Sequence, residues 1–253
     1  MKATEAAPQR LPWRSGTVVE TIDETPRARS LVLSVAGWPG HQAGQHVDLR
    51  LTSDDGYQAQ RSYSIASPPE RAEIVLTVER IDDGEVSPFL TEEVRPGDVL
   101  ELRGPIGGYF TWTAGEPDPL QLLAGGSGIV PLMAMLRHRA LAGPDRAARL
   151  LYSSRSWDDT IYRAELARLG GDDSLLRVVH TLTRAAPQGW SGLARRVDRA
   201  MFEEHVFAPP ERPRAYVCGP TPFVETVAAL LVELGHPPDR IRTERFGPTG
   251  GSP

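Results

Sequence analysis

The sequence has 253 residues, a formal net charge of −5 and a single cysteine. One cysteine excludes a disulfide framework, and it excludes an iron–sulfur cluster or an all-thiolate zinc site held by this chain alone. The acidic balance argues against a general nucleic-acid-binding protein, which would need a basic surface.

The chain shows no signal for a membrane or for export. No apolar run approaches the roughly 18–20 residues of a membrane span. The N-terminus lacks the apolar stretch of a signal peptide, so we expect a cytoplasmic protein in which residues 1–15 form a disordered lead-in. The residues predict no metal site and leave the oligomeric state open.

Residues 16–113 are typical of short antiparallel strands. Leu31, Leu33 and Val35 alternate with residues of the opposite face, which is the period of a half-buried strand. Turn signals separate the segments and predict a small β-barrel or sandwich. The predicted strands are 16–23, 30–35, 45–51, 60–66, 73–80 and 98–103, with one short helix at 87–94.

Residues 114–247 follow a different pattern. After a polar linker, buried strands alternate with helices, which predicts a doubly wound parallel sheet; residues 248–253 read as a loose tail. The predicted strands are 120–124, 150–153, 175–181, 214–217 and 241–245, and the predicted helices are 130–141, 160–169, 193–201 and 221–235.

The first candidate motif is Arg61-Ser62-Tyr63-Ser64, at the end of a predicted strand. An arginine fork can bind a phosphate pair, a tyrosine can lie against a planar ring, and a serine hydroxyl can meet a polar ring edge. An ordinary edge strand with alternating polar residues explains the same four residues.

The second motif runs from Gly84 through Val86 to Ser87 and Pro88. The pattern predicts Ser87 as the N-cap of a helix with proline at its first position, and such a helix end attracts anions. A capped helix that binds nothing is the alternative.

Two motifs follow strands of the second half. Gly125-Gly126-Ser127-Gly128, with Pro131 in place of a third glycine, lies between a buried strand and a helix and indicates a nucleotide phosphate site, although a tight turn would also need glycine. Cys218-Gly219-Pro220 lies at the end of a later strand, where ligands bind in such sheets; simple packing of the cysteine is the alternative.

In this order, the motifs make the sequence resemble the ferredoxin–NADP+ reductase superfamily over about residues 16–247. RSYS matches the flavin motif R-x-Y-S/T, segment 84–87 matches the one that holds the flavin pyrophosphate, and 104–107 matches the G-P-x-G turn that closes the barrel. Segment 125–131 matches the nicotinamide-nucleotide loop, and CGP matches the motif beside the nicotinamide. Glu244 and Phe246 resemble the terminal E-x-aromatic, in which the aromatic ring shields one flavin face and the glutamate relays protons. Phenylalanine replaces the usual tyrosine there, as is common in the bacterial oxygenase-reductase branch.

The resemblance implies an FAD-binding barrel over 16–113 and an NAD(P)-binding α/β domain over 114–247. The pyrophosphate motif favours FAD over FMN. The implied catalytic residues are Ser64, Cys218, Glu244 and Phe246. The implied cofactor-binding residues are Arg61, Ser62, Tyr63, Ser64, Gly84, Val86, Ser87, Gly125, Gly126, Ser127, Gly128, Pro131, Arg155, Thr183, Arg184, Cys218, Gly219, Pro220 and Phe246.

Charge near the second and third strands of the α/β half favours NADPH over NADH. An NADH site usually has an acid at the end of its second strand, whereas this sequence has Arg155 there and no acid before Asp158. Thr183-Arg184 resembles the pair with which NADP-dependent members hold the 2′-phosphate. Solvated loop arginines are the alternative.

The chain lacks the cysteines of an appended [2Fe–2S] domain, so we expect electrons to leave to a separate protein such as a ferredoxin. The alternatives are a ferric-chelate or free-flavin reductase, or a non-catalytic flavin- or nucleotide-binding subunit. The candidate basic docking residues are Arg10, Arg14, Arg27, Arg29 and Arg71.

Overall fold

A computed structural model describes residues 11–143 and 145–247. Six antiparallel strands form the first half, in the order β4-β3-β6-β1-β2-β5. They are β1 (Arg14–Thr25), β2 (Ala28–Val35), β3 (His46–Thr52), β4 (Gln58–Ser64), β5 (Ile74–Glu79) and β6 (Val99–Ile106). A bridge between Ile65, just after β4, and Leu76 within β5 joins the two outer strands and closes the sheet into a barrel.

Strand β2 shows why the barrel strands are hydrophobic on both faces. Leu31 and Leu33 are fully buried in the barrel core, as the alternation predicts. Val32, on the opposite face, belongs to the hydrophobic cluster that also contains Leu132 and Tyr162 of the second half. One face of β2 therefore fills the barrel, and the other packs against the second domain.

The second half is a five-stranded parallel sheet in the order β11-β10-β7-β8-β9. Its strands are β7 (Leu120–Gly125), β8 (Ala148–Ser156), β9 (Leu176–Ala185), β10 (Arg214–Pro220) and β11 (Ile241–Phe246). Its helices are α1 (Ile129–Ala142), α2 (Arg163–Asp172), α3 (Arg199–His205) and α4 (Thr221–Glu233). The strand order reverses between β7 and β10, so the carboxyl ends of these two strands border the crevice where doubly wound sheets bind ligands.

Both faces of the parallel sheet are covered. Leu122 packs in the cluster that contains residues of α1, whereas its neighbour Leu123 packs in the cluster with Phe202 of α3 and Val224 of α4. Burial on both faces explains why every residue of β7 is buried and why all but Gln121 are apolar or glycine. Among the described residues, no helix has the length and apolar character needed to cross a bilayer.

Two predicted helices differ from the structure. The helix predicted at 193–201 is wrong over most of its length: Leu193 bridges to Thr181 beside β9, and α3 begins only at Arg199. The signal for this start is Asp198, whose Oδ1 accepts the backbone N–H of Met201 at 2.9 Å. The helix predicted at 160–169 begins at Arg163, because Tyr162 before it has a left-handed φ of 59°.

Part of the predicted lead-in is structured. β1 begins at Arg14, and the Trp13 ring lies 4.1 Å from the Arg50 guanidinium carbon. Residues 1–10, which include Arg10, and the predicted tail at 248–253 lie outside the described residues.

Polar contacts connect the barrel to the parallel-sheet domain. Arg137 of α1 donates to the Ala66 carbonyl at 2.8 Å and pairs with Glu165 of α2 at 2.6 Å. The Tyr162 hydroxyl forms a hydrogen bond with the Thr77 hydroxyl of β5. These ties hold the two domains in one fixed relation.

Candidate functional site

Strand β4 places Arg61 and Tyr63 on the face that Ala59 and Ile65 use for the barrel core. Tyr63 is half-buried against that core, and burial raises the pKa of its phenol to about 12, so the ring is neutral. The Arg61 guanidinium is half-exposed, and its Nη2 lies 3.2 Å from Glu85 Oε2. An aromatic ring and a guanidinium paired with Glu85 therefore lie on the same face of β4.

The two serines of the motif differ in their surroundings. Ser62 donates to Asp48 Oδ1 at 2.6 Å, and Asp48 also accepts from Arg103, so the Ser62 hydroxyl belongs to a cross-strand network. Ser64 is half-buried and lies opposite His46 in the β3–β4 register. Of the two, Ser64 is the one beside the domain boundary.

The ion pair between Arg61 and Glu85 places the loop 84–87, which precedes the short helix, next to Arg61. The prediction that Ser87 caps this helix is wrong: its buried hydroxyl accepts the backbone N–H of Ile81 at 3.0 Å and so closes the loop. Pro88 precedes a π-helical turn (Phe89–Glu93) that has no side-chain cap. Val86 is buried in the barrel core.

The glycine-rich segment is shaped by close packing as well as by its turn. Gly126 has a left-handed φ of 54° in the turn Gly126–Gly128. A Cβ on Gly125 would lie 2.8 Å from the Phe223 ring, and a Cβ on Gly128 would collide with the Cys218 carbonyl oxygen. Gly128 therefore lets α1 begin directly against the end of β10.

A cavity of about 180 Å³ lies at the carboxyl ends of the parallel strands. Seven of the predicted cofactor residues line this cavity: Gly125, Gly126, Ser127, Arg155, Thr183, Pro220 and Phe246. The rest of its lining is formed by residues that were not predicted from the sequence, namely Glu79, Ser153, Ser154, Asp159, Ile161 and Phe223. Glu79 ends barrel strand β5, so the cavity is shared by both domains.

Other predicted cofactor residues do not line this cavity. Pro131 is buried inside α1, Gly128 packs against β10, and Arg184 is exposed farther along β9. Cys218 and Gly219 lie in β10 just before Pro220, and Cys218 is 2% exposed. The structure thus separates residues at the cavity surface from those that support it.

Charges around the cavity are mixed. Arg155 is exposed at its rim, while Asp159 accepts a hydrogen bond from the Ser156 hydroxyl at 2.6 Å. Asp158 points away and lies 3.6 Å from Arg163. Ser154 lines the cavity, and its Oγ is buried with no hydrogen-bond partner among the described residues.

Cys218 and Glu244 are neighbours in the β10–β11 register. Burial raises the pKa of Glu244 to about 7, and Glu244 Oε2 is buried without a partner within the described residues. Burial, and then the Glu244 charge, raises the pKa of the Cys218 thiol, which therefore stays protonated. His46 Nδ1 lies 3.9 Å from Glu244 Oε1.

Replacing Glu244 with glutamine should stabilise the protein at pH 8 but not at pH 5. Because burial raises the folded-state pKa of Glu244 to about 7, well above that of an exposed glutamate, the wild type loses stability as the pH rises from the lower pKa to the higher one. At pH 8 we expect the free energy of unfolding to increase by about 1 to 2 kcal/mol. This is less than the whole change in the Glu244 pKa would give, because the side chain is partly exposed. Urea unfolding at both pH values measures it.

The matched control for that measurement is Glu225→Gln, which changes an exposed glutamate on helix α4. Its stability should follow the wild type at both pH values. A Glu244→Gln variant that is no more stable than the wild type at pH 8 would contradict the effect of burial.

The side chains present fit a flavin dinucleotide and a nicotinamide nucleotide. Arg61 stands beside the Gly84–Ser87 loop with half of its side chain exposed, and Tyr63 offers a ring at the barrel mouth. The cavity at the parallel sheet has a glycine wall and the orphaned Ser154 hydroxyl. Backbone N–H groups at such a strand–turn–helix suit a phosphate.

Comparisons with known proteins agree with this division. The family model "Oxidoreductase FAD-binding domain" matches residues 26–111, and the model "Oxidoreductase NAD-binding domain" matches residues 122–229. A solved FAD/NAD-binding domain of a nitric oxide dioxygenase from Vibrio cholerae superposes with a TM-score of 0.83 at 26% identity, over 93% of this chain and 99% of that one.

Three curated relatives are similar over most of the chain. The Sorangium cellulosum ferredoxin–NADP reductase B is 35% identical over 81% of this chain and 85% of its own length. The ferredoxin reductase component of a Rhodococcus rhodochrous 3-ketosteroid-9-alpha-monooxygenase is 32% identical over 94% of this chain and 66% of its own length. An Aspergillus terreus NADH-cytochrome b5 reductase 1 is 30% identical over 78% and 68%. The chain thus spans about two thirds of the Rhodococcus relative.

Proposed function

The chain belongs to the ferredoxin–NADP+ reductase superfamily and is an FAD-dependent oxidoreductase, and from that premise we propose its reaction. It transfers a hydride from NADPH to FAD and then passes single electrons to a separate acceptor protein such as a ferredoxin. The observation that carries this proposal is the shared cavity, because a nucleotide held at Gly125–Ser127 would have Glu79 of the barrel and Phe246 in the same cavity.

FAD supplies the redox chemistry, since it accepts an electron pair as hydride and releases electrons singly. The chain's own residues bind and orient. Arg61 and the loop that ends at Ser87 would hold the pyrophosphate, Tyr63 would pack against the flavin ring, and Ser64 would donate a hydrogen bond at its polar edge.

Residues at the ends of β10 and β11 would border the nicotinamide. Phe246 lines the cavity and would cover the flavin face until the nucleotide takes its place. The buried, protonated thiol of Cys218 would lie behind that position as an uncharged, polarisable group. Glu244 lies opposite Cys218 in the β10–β11 register and can hold a proton near neutral pH.

The test of this function is spectroscopic. Purified chain reconstituted with FAD should be yellow, and its flavin absorbance should bleach when NADPH is added without oxygen. Reoxidation by a ferredoxin faster than by ferric chelates or by free flavin would support the protein acceptor. A chain that binds no FAD, or that does not bleach, would favour the non-catalytic alternative.

A preference for NADPH over NADH is part of the proposal and rests on Arg155 and Thr183 in the cavity. A guanidinium at the rim suits a 2′-phosphate. Asp159 in the same cavity favours the rival, NADH, since a carboxylate accepts from ribose hydroxyls and repels phosphate. The relatives include reductases named for either nucleotide.

Replacing Arg155 with alanine should raise KM for NADPH about tenfold and leave KM for NADH within about twofold, because only the phosphate loses a charged partner. Steady-state kinetics with both nucleotides measures this. Arg163→Ala is the control, since Arg163 lies over Trp157 outside the cavity. Equal effects on both nucleotides would show that Arg155 does not bind the phosphate, and Arg184→Ala would then be tested in the same way.

The proposed docking of an acceptor gains no support from the predicted basic residues. Arg27, Arg29 and Arg71 pair with Asp82, Asp23 and Glu73. Arg14 donates to the Gly37 carbonyl at 3.3 Å. Among the described candidates, three arginines are paired with carboxylates and Arg14 is hydrogen-bonded to a backbone carbonyl, so they do not support a free basic patch.

A further inference from the structure

Glu79 is the barrel's contribution to the cavity at the carboxyl ends of the parallel strands. It ends strand β5 and is half-buried, and a Cβ on Gly126 would lie 3.9 Å from Glu79 Oε2, so the carboxylate faces the glycine turn. The other described residues that line this cavity belong to the parallel-sheet domain. Glu79 therefore presents a negative charge from the flavin-binding half to any nucleotide in the cavity.

No neighbouring cation neutralises the Glu79 carboxylate. Among the residues that the structure describes, no ion pair includes Glu79, since the adjacent Arg80 pairs with Asp82 at 3.0 Å and with Glu92. Burial raises the pKa of Tyr152 on β8, and the charge of Glu79 adds to that rise, so this charge acts across the domain boundary. Both Glu79 oxygens therefore need hydrogen-bond donors from solvent or from a ligand.

The chemistry of the nucleotide decides which of its groups can meet Glu79. A carboxylate repels the phosphates that a turn such as Gly126–Gly128 suits, but it accepts hydrogen bonds from hydroxyls. A dinucleotide has one ribose on each side of its pyrophosphate, so a ribose diol is the donor pair nearest to a phosphate held at the turn. In NADPH the adenosine ribose carries the 2′-phosphate and has no free diol, whereas the nicotinamide ribose keeps both hydroxyls.

The strand order separates the two riboses. Arg155 and Thr183, proposed for the 2′-phosphate, lie near the ends of β8 and β9 on one side of β7 and its glycine turn. Pro220 and Phe246, proposed to border the nicotinamide, end β10 and β11 on the other side. Glu79 enters the cavity from the domain that would hold the flavin, which the nicotinamide must meet. This arrangement favours the nicotinamide ribose as its partner.

We propose that Glu79 accepts hydrogen bonds from the two hydroxyls of the nicotinamide ribose and so binds the nicotinamide half of the nucleotide. This inference rests on the proposed function and deepens it. NADPH and NADH have the same nicotinamide ribose, so Glu79 binds both, whereas Arg155 distinguishes them. No bond forms or breaks at Glu79, and the contact is the same before and during hydride transfer.

The first test measures binding without turnover. NADP+ and adenosine 2′,5′-bisphosphate, which lacks the nicotinamide half, are titrated calorimetrically into the FAD-loaded chain. We expect Glu79→Gln to weaken NADP+ binding about tenfold, as for a lost hydrogen bond to a charged group, and to leave bisphosphate binding within about twofold. The matched control is Glu73→Gln, just before the start of β5, where Glu73 pairs with Arg71 outside the cavity. It should bind both ligands as the wild type does.

Three results of this titration would overturn the proposal. Equal weakening of NADP+ and the bisphosphate would mean that Glu79 serves the adenosine half or the shape of the cavity. Tighter binding of both ligands by Glu79→Gln would mean that the carboxylate only repels phosphate. Unchanged binding of both would mean that Glu79 does not contact the nucleotide.

A second measurement needs no variant. An NADP+ analogue whose nicotinamide ribose lacks the 2′-hydroxyl should bind the wild type about fivefold more weakly than NADP+ does. Glu79→Gln should distinguish the two ligands less, because it has already lost the charged acceptor. An equal loss in both proteins would assign the hydroxyl to another residue. A wild type that binds the two ligands equally would overturn the proposal even if Glu79→Gln failed to fold.

Kinetics separates this proposal from the proposed function. Glu79→Gln should raise KM for NADPH and for NADH by the same factor of about ten, with kcat within about twofold, because the contact persists through the reaction. A wild type that binds NADP+ but is not bleached by NADPH would refute the reductase function alone. A wild type that bleaches, beside a Glu79→Gln variant with unchanged NADP+ affinity and KM, would refute only the role of Glu79.

Discussion

Replacing Gly128 with alanine should destabilise the parallel-sheet domain by about 3 kcal/mol. The added Cβ would collide with the Cys218 carbonyl oxygen and lie 2.7 Å from the Gly219 nitrogen. Both are backbone atoms, so neither can rotate aside, and helix α1 or strand β10 must move. Urea unfolding measures the loss, and nucleotide binding should weaken with it because Pro220 lines the cavity.

Gly171→Ala is the control for that substitution. Gly171 lies in the last turn of α2, its backbone is not left-handed, and a Cβ there would meet nothing within 4 Å. We expect no loss, and up to about 1 kcal/mol of gain, because alanine favours a helix over glycine. A similar loss in both variants would mean that the collision at Cys218 is not the cause.

Replacing Arg61 with alanine should weaken FAD binding about 30-fold, or about 2 kcal/mol, which is the usual range for a hydrogen bond to a charged group. The guanidinium is half-exposed beside the loop of Gly84 and Ser87, where it can reach a pyrophosphate. Glu85 holds it in that place. Titration of the FAD-free chain, followed by flavin fluorescence, measures the affinity.

Arg50→Ala tests whether any barrel arginine has this effect. Arg50 lies on the neighbouring strand β3 and pairs with Glu101 at 3.0 Å. Its loss should leave FAD affinity within about twofold. If Arg61→Ala keeps the wild-type affinity, Arg61 serves only its pair with Glu85, which is the edge-strand interpretation.

The strands were predictable because their signals are local. Alternation in β2 and continuous burial in β7 reflect which faces pack, and each strand prediction lies within three residues of the observed start. The helix predicted at 193–201 failed because Leu193 is held by β9, a contact distant in sequence. The prediction that Ser87 caps the short helix was wrong because its hydroxyl accepts the backbone N–H of Ile81 and not one at the helix end. Nothing in the local sequence distinguishes a serine that closes a loop from a serine that caps a helix.

The candidate site was predictable where glycine and short motifs mark it. Seven of the predicted residues line the cavity at the carboxyl ends of the parallel strands. His46 and Glu79 were missed because they join the site through strand pairing and domain packing. Pairing the predicted strands 45–51 and 60–66 in register would have placed His46 opposite Ser64. Phe223 lies three residues after the end of the C-G-P motif, and its ring covers Gly125 and Gly219.

The ties between the domains at Arg137 and Tyr162 set the distance over which the hydride would travel. Arg137 is only partly buried where it bonds to the Ala66 carbonyl of the barrel, so a substitution at this residue can leave each half folded. Such a variant would melt like the wild type and bind both nucleotides, yet react slowly, because reaction rate falls steeply with misplacement of the reacting atoms. A normal melting curve is therefore no proof of an intact reaction geometry in this protein.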